Sequence, residues 1–423
     1  MNSELKGKKL LILGATSGET TLVKRAKSLG IYTIVTDSHT DYELSPAKKI
    51  ADEAWDISWS DIDTLEKKCK DKGIDGVTAG YSEFRVENLI KLCKRMDLPC
   101  YATEEHLEIT RDKIKFKNEC RKNDVPVVKE FACVEDVDEF PVIVKPVDRA
   151  GSIGISIATN KAELKRAYSY AMDLSVCKQV IIEKYMQERK IDVYYAVENG
   201  DVQLISSCDT IAAQKNGTEK VVQSCWLYPM KEIQSFNSRV DGNLRKMIAN
   251  MHIQYGCIFF SGFVDQNNKF VFFECGFRME GAHQYNYVEK KGLFNFLDLF
   301  IYHSLLGRTD GMKRGICENK KLKCAVVNIY AKDGVLSKVS GIEEIASMDD
   351  CCLTLIHGRI GQKCEMDKAI LSKIAMFSFC NESAEKIMKD VKKGYKLFSS
   401  IDQNGKDMIY DYIDTEQIIK WWK

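Results

Sequence analysis

Short apolar runs alternate with amphipathic stretches along the first hundred residues, and their order predicts a layered α/β unit. KLLILG from Lys9 reads as a buried strand, TTLVKRAKSLG as a helix closed by Gly30, and IYTIVTD as a strand ending at Asp37. Ile62 to Lys72 and Val86 to Met96 have helical periodicity, IDGVTAG reads as a third strand and LPCYA as a short fourth. The order βαβαβαβ predicts a parallel sheet with helices on both faces.

Beyond about Thr103 the pattern changes. Val180 to Met186, Val193 to Val197, Val202 to Ser207, Cys257 to Val264 and Phe270 to Cys275 read as strands rich in β-branched and aromatic residues. Glu198-Asn199-Gly200-Asp201 and Gln266-Asn267-Asn268-Lys269 are hairpin signals, so antiparallel pairing is expected. From about Cys324 come the strands CAVVNIYAKDGVLSKVSG and LTLIHGRIGQ, then a helix with Ala384, Ile387 and Val391 on one face. A hairpin at Asp402 to Gly405 and a Trp421-Trp422 end follow, and the charged stretch Thr309 to Lys323 reads as a linker. The expected division is 1–104, 105–308 and 309–423, with α/β architecture first, α+β in the middle and a small β-rich unit last.

Composition narrows the function classes. Sixty-two Lys and Arg against 61 Asp and Glu leave a formal charge of +1, which gives no basic surface for nucleic acid or anionic membrane. No apolar run approaches the length of a membrane span, and the run near the N-terminus is too short for a signal-peptide core. The 16 cysteines are scattered with no C-x-x-C pair, which suits reduced thiols in a cytoplasmic protein better than a zinc or disulfide framework.

Candidate chemistry gathers in the middle block. FPVIVKPVDRAGSIGIS, from Phe140 to Ser156, puts Lys145 at a strand end beside a loop with Gly151 and Gly154, the outline of a phosphate site. ITRDKIKFKNECRKNDVPV places Lys113 on a first helical turn, where N–H groups also attract phosphate. VIIEKYM presents Glu183, Tyr185 and Met186 to the edge and face of a purine. In the hairpin FFSGFVDQNNKFVFFECGFRMEG the acid Glu274 needs a metal or cation to compensate it, and Arg278 can serve as that cation or as an oxyanion clamp. GATSG, with Gly14, Gly18 and Asp37, is a weaker dinucleotide signal because the G-x-G-x-x-G spacing is absent.

This order of signals resembles the ATP-grasp superfamily, specifically its biotin-carboxylase-like and carbamoyl-phosphate-synthase-like carboxylate–amine ligases, over nearly the whole chain. The resemblance implies a Rossmann-like first domain, a two-lobed ATP-grasp domain with a lid at about 118–186, and a C-terminal cap. It makes Lys113 and Lys145 the ATP-phosphate lysines and the loop from Arg149 through Gly151, Ser152 and Gly154 the flap over the triphosphate. Glu183 would bind the adenine amino group, Tyr185 and Met186 would form the hinge against the ring, and Asp192, or else Glu188, would hold the ribose. Glu274 would hold Mg2+, Arg278 would face the substrate carboxylate or its acyl phosphate, and His283 and Gln284 would contact substrate or merely pack. The implied reaction joins a small-molecule carboxylate to an amine through an acyl phosphate, and a homodimer stays open.

Three positions depart from the pattern. The second metal carboxylate, twelve or thirteen residues before Glu274, is replaced by Gly262 and Ser261; the E-x-N-x-R asparagine is replaced by Gly276; Lys190, Ile191 and Asp192 stand where a ribose glutamate is expected. An ATP-binding protein without catalysis and an NAD-dependent oxidoreductase using Gly14, Gly18 and Asp37 are the alternatives.

Overall fold

The computed structural model describes residues 4–149, 153–212, 223–309, 321–365 and 372–422. Near the N-terminus, Glu53–Trp55, Tyr32–Thr36, Lys9–Leu13 and Gly76–Ala79 form a four-stranded parallel sheet in that spatial order. Leu11 lies between Ile34 and Val77, and both central strands are buried after their first residue because helices cover the sheet. The expected strand LPCYA does not form. The helix Glu83–Met96 ends on Asp97 in the left-handed region (φ 54°), Pro99 has no N–H to give a ladder, and Thr103 already caps the helix Glu104–Arg111. Tyr101 packs instead against Phe277 and Phe300. The fourth strand is Glu53–Trp55, whose three residues are too few to show a period.

The second sheet has eight antiparallel strands, in the order Phe270–Phe277, Tyr255–Val264, Arg189–Glu198, Asp201–Ala212, Gln223–Tyr228, Lys323–Tyr330, Lys373–Asn381 and Cys351–Ile356. Both expected hairpins are present, with Asn199, Gly200 and Asn268 at positive φ. Pairing of Gln223–Tyr228 with Lys323–Tyr330 carries the sheet across the expected boundary at 308/309. LTLIHGRIGQ is strand only as far as Ile356. The helix Ala384–Leu397 buries Ala384, Ile387 and Val391 as its periodicity predicts, and the segment 310–320 of the expected linker lies outside the described residues.

A third, smaller sheet orders Glu130–Phe131, Val180–Lys184, Val142–Pro146 and Ser156–Ala158 antiparallel under the helix Lys161–Leu174. It has its own core of Val142, Val144, Leu164, Ala171 and Ile182. One larger core runs continuously from the N-terminal sheet into the eight-stranded sheet, and Arg25 grips Asp298 with two hydrogen bonds of 2.7 and 2.5 Å across that junction. The candidate residues therefore lie where a small lobe with a separate core meets a large, continuously packed body. Among the described residues no helix is long and apolar enough to cross a membrane.

Candidate active site

Asp112 caps the helix Lys113–Lys122 by accepting from the N–H groups of Ile114 and Lys115, which fixes Lys113 on the first turn. The Lys113 ammonium donates to the carbonyls of Val147 (3.3 Å) and Arg149 (3.1 Å), where the glycine loop begins. Burial holds its pKa below the usual lysine range, against the opposing pull of Glu274. Lys145, on the strand Val142–Pro146, is buried with its ammonium 2.5 Å from Glu183 and 5.4 Å from the Phe273 ring centre. Glu183 is also paired with Lys117, whose side chain is wholly buried and lies 3.3 Å from Glu130. Burial alone would raise the Glu183 pKa, but the two lysines outweigh it and hold the carboxyl below its ordinary range. Lys117 is a buried partner of Glu183 that the sequence signals omit; its spacing of four from Lys113, on the same helix face, was the available clue.

Gly151 and Ser152 lie outside the described residues. Gly154 has φ 76°, and a Cβ there would stand 2.6 Å from the Pro146 ring, so the loop's return past the Lys145 strand requires glycine. The strand carrying Glu183 ends at Lys184, so Tyr185 and Met186 follow it in half-buried, irregular chain rather than in the strand expected to reach Met186. The Tyr185 N–H is held by the Pro141 carbonyl at 3.0 Å.

Strand register builds the other end of the site. Asp192, Ser261 and Glu274 are direct neighbours across three strands and share one sheet face. Ser261 donates to Asp192 at 2.5 Å, and Lys190 lies 3.9 Å from the same carboxylate. Glu188 accepts from the N–H of Gln187 in its own turn. Among the described residues no three His, Cys, Asp or Glu side chains are grouped to hold a metal. A single half-buried carboxylate at Glu274 still fits Mg2+, a hard ion that completes its shell with phosphate oxygens and water.

The departures from the family pattern are locked by packing. A Cβ at Gly262 would stand 2.5 Å from the Val271 carbonyl, and one at Gly276 would stand 2.5 Å from the Phe259 ring. Phe259 fills the asparagine's place and carries the Arg278 guanidinium at 5.1 Å. Gly262→Asp will therefore destabilise the protein by about 1–3 kcal/mol through overpacking rather than restore a metal ligand. Chemical denaturation checks this, and unchanged stability with a gained metal site would contradict it.

Arg278 also lies 3.4 Å from Glu83 and donates to the Met279 carbonyl at 3.0 Å. His283, buried and 4.3 Å from the Tyr81 ring, is pushed down to about 3 by burial and so is neutral. Gln284 is buried, and neither its Oε1 nor the His283 Nδ1 has a hydrogen-bond partner. Sequence reasoning missed four further groups here. Glu280 accepts from the Ala282 N–H at 2.7 Å and is pushed up to about 6 by burial and by Asp192. Lys373, which feels Glu280, is pushed down to about 8 by burial. His357 Nδ1 lies 2.6 Å from Ser17 Oγ, and Tyr81 faces His283; these contacts join positions far apart in the chain, so no local pattern reveals them.

The glycine turn near the N-terminus is already filled. The Arg85 guanidinium packs onto Gly14 and pairs at 2.5 Å with the buried Glu19. Asp37 is engaged by Lys48 (2.8 Å), Ser45 (2.5 Å) and the His39 N–H (3.0 Å), which together outweigh burial and lower its pKa. Neither space for a pyrophosphate nor a free carboxylate for a ribose remains, which removes the basis for the NAD reading.

The family described as D-ala D-ala ligase C-terminus matches residues 109–250, the stretch holding Lys113, Lys145, Glu183 and Asp192. A formate-dependent phosphoribosylglycinamide formyltransferase from Prochlorococcus marinus subsp. pastoris is 30% identical over 190 residues, 42% of this chain and 48% of that protein. The chain thus spans about half the length of this curated relative. Among solved structures, the biotin carboxylase domain of the Hydrogenobacter thermophilus 2-oxoglutarate carboxylase, in complex with MgADP, ADP and bicarbonate, superposes with a TM-score of 0.76 at 17% identity, covering 95% of this chain and 91% of that one. An L-amino acid ligase from Bacillus licheniformis gives 0.74 at 17% identity, covering 94% and 100%. The chain is thus similar to that family over residues 109–250, which hold the lysine and glutamate segments, and has the ATP-grasp fold over nearly its whole length.

Proposed function

We propose that the chain is an ATP-dependent carboxylate–amine ligase, forming a C–N bond with release of ADP and phosphate. The observation carrying this reading is the convergence on Lys113, whose ammonium lies in the combined field of Glu274, Lys145, Glu183 and Glu83 although these come from different lobes. In this reading Lys113 and Lys145 neutralise phosphate charge, Tyr185 and Met186 border the adenine, and Asp192 holds the ribose. Glu274 would hold Mg2+, which supplies further neutralisation of the phosphates when bound. A carboxylate gives no leaving group better than oxide; phosphorylation makes one. The remaining task is positioning and electrostatic stabilisation, for which Arg278 faces the acyl phosphate.

Glu280 stands two residues beyond Arg278 and serves as proton acceptor for the attacking amine. Turnover should therefore show an acid limb near pH 6, where Glu280 titrates, and Glu280→Gln should abolish that limb. A pH–rate profile of phosphate release checks this; an unshifted limb in the variant would contradict it. The neutral His283 and His357 would suit the amine substrate's own polar groups.

ATP binding without chemistry is the second reading, favoured by Gly262 and Gly276, which packing holds without a metal-binding side chain. Mixing the protein with ATP, Mg2+ and panels of small carboxylic acids and amines separates the two. Ligase activity gives equal amounts of ADP and phosphate only when both substrates are present; nucleotide binding with no ADP formed would favour the second reading.

A further inference from the structure

Lys190 lies in the site but has been given no role so far. It lies two residues before Asp192 on the strand Arg189–Glu198, so strand alternation puts both on the sheet face that carries Ser261 and Glu274. Its ammonium sits in the field of Asp192, Glu274 and Glu280. It also lies 5.9 Å from the Phe273 ring centre, and Lys145 lies 5.4 Å from the centre of the same ring. The nearest of these carboxylates, Asp192, is 3.9 Å away and already accepts from Ser261. The Lys190 ammonium has that 3.9 Å ion pair and donates no hydrogen bond within 3.5 Å to another described residue, leaving its three donors for a ligand. Charge points the same way. Ser261 removes one negative unit opposite Glu274 and Lys190 adds one positive unit beside it, together the charge of one magnesium ion.

We propose that Lys190 is a third phosphate-binding lysine, donating to the terminal phosphates of ATP in place of a second divalent ion, so that the site takes ATP with one Mg2+. The inference rests on the ATP reading above. The test is calorimetric titration of the full chain with AMP, ADP and a non-hydrolysable β,γ-imido ATP analogue in Mg2+, for wild type, Lys190→Gln and Lys190→Arg. Thermal melting confirms that each variant is folded. Lys190→Gln should weaken the ATP analogue about 10- to 100-fold, the loss of one charge-assisted contact, and leave AMP within about 2-fold, while Lys190→Arg recovers most of the difference. Equal losses for all three nucleotides would make Lys190 a ribose or packing residue, and no loss would make it a bystander; either overturns the proposal. Electron paramagnetic resonance with Mn2+ should count one bound ion per bound analogue, and two would overturn it. If the wild type binds none of the three nucleotides, the ATP reading itself falls.

Discussion

Glu183→Gln will destabilise the protein by about 3–5 kcal/mol at neutral pH, because it strips the compensating charge from a buried ammonium at Lys145 and most of it from Lys117. Glu183 is 2% exposed and sits between both lysines, so solvent cannot replace what the amide fails to give. Lys117 keeps a longer contact to Glu130 at 3.3 Å; among the described residues Lys145 keeps the Phe273 ring. The pH dependence has a definite sign. The folded-state pKa of Glu183 is depressed, so its contribution is complete above the ordinary glutamate value and is lost as the pH falls through the folded value. Wild type and variant should therefore converge in acid. Urea denaturation at a series of pH values reads both effects, and a difference below about 1 kcal/mol at pH 7 would mean that the three charges are not coupled.

The largest effect on turnover is expected from Glu274→Gln. The substitution keeps the shape of a half-buried side chain, so the fold should survive. It removes the carboxylate that would fix Mg2+ against the phosphates, and phosphate release should fall by about 10²- to 10³-fold. Raising Mg2+ should recover part of the loss. Phosphate release at several magnesium concentrations checks this, and activity within about 3-fold of wild type would remove Glu274 from the machinery.

What the sequence showed and hid follows from the range of the interactions. Lys113, Lys145 and Gly154 were legible because helix start, strand end and positive-φ glycine are local features with local signatures. Glu274 stood out as a lone acid in an aromatic strand. The row of Asp192, Ser261 and Glu274 needed the strand register, which a period of two does not specify between strands 69 residues apart. Lys373 and His357 enter from the last block because one sheet continues from Gln223–Tyr228 into Lys323–Tyr330, a pairing between segments about a hundred residues apart. The mistaken strand LPCYA shows the converse error: its Tyr101 is buried by packing against Phe277 and Phe300, not by joining a sheet. The glycines at 262 and 276 read in sequence as lost ligands; in the structure they are positions where Val271 and Phe259 leave no room for one.

The acyl phosphate is the core of the account, and oxygen transfer tests it most directly. With an acid and amine found by the phosphate-release screen, the acid is supplied with 18O in its carboxylate and the released phosphate is examined by mass spectrometry. One 18O atom is expected in each phosphate, carried over when the amine displaces it from the acyl phosphate. Phosphate free of label, or AMP and pyrophosphate in place of ADP and phosphate, would contradict it.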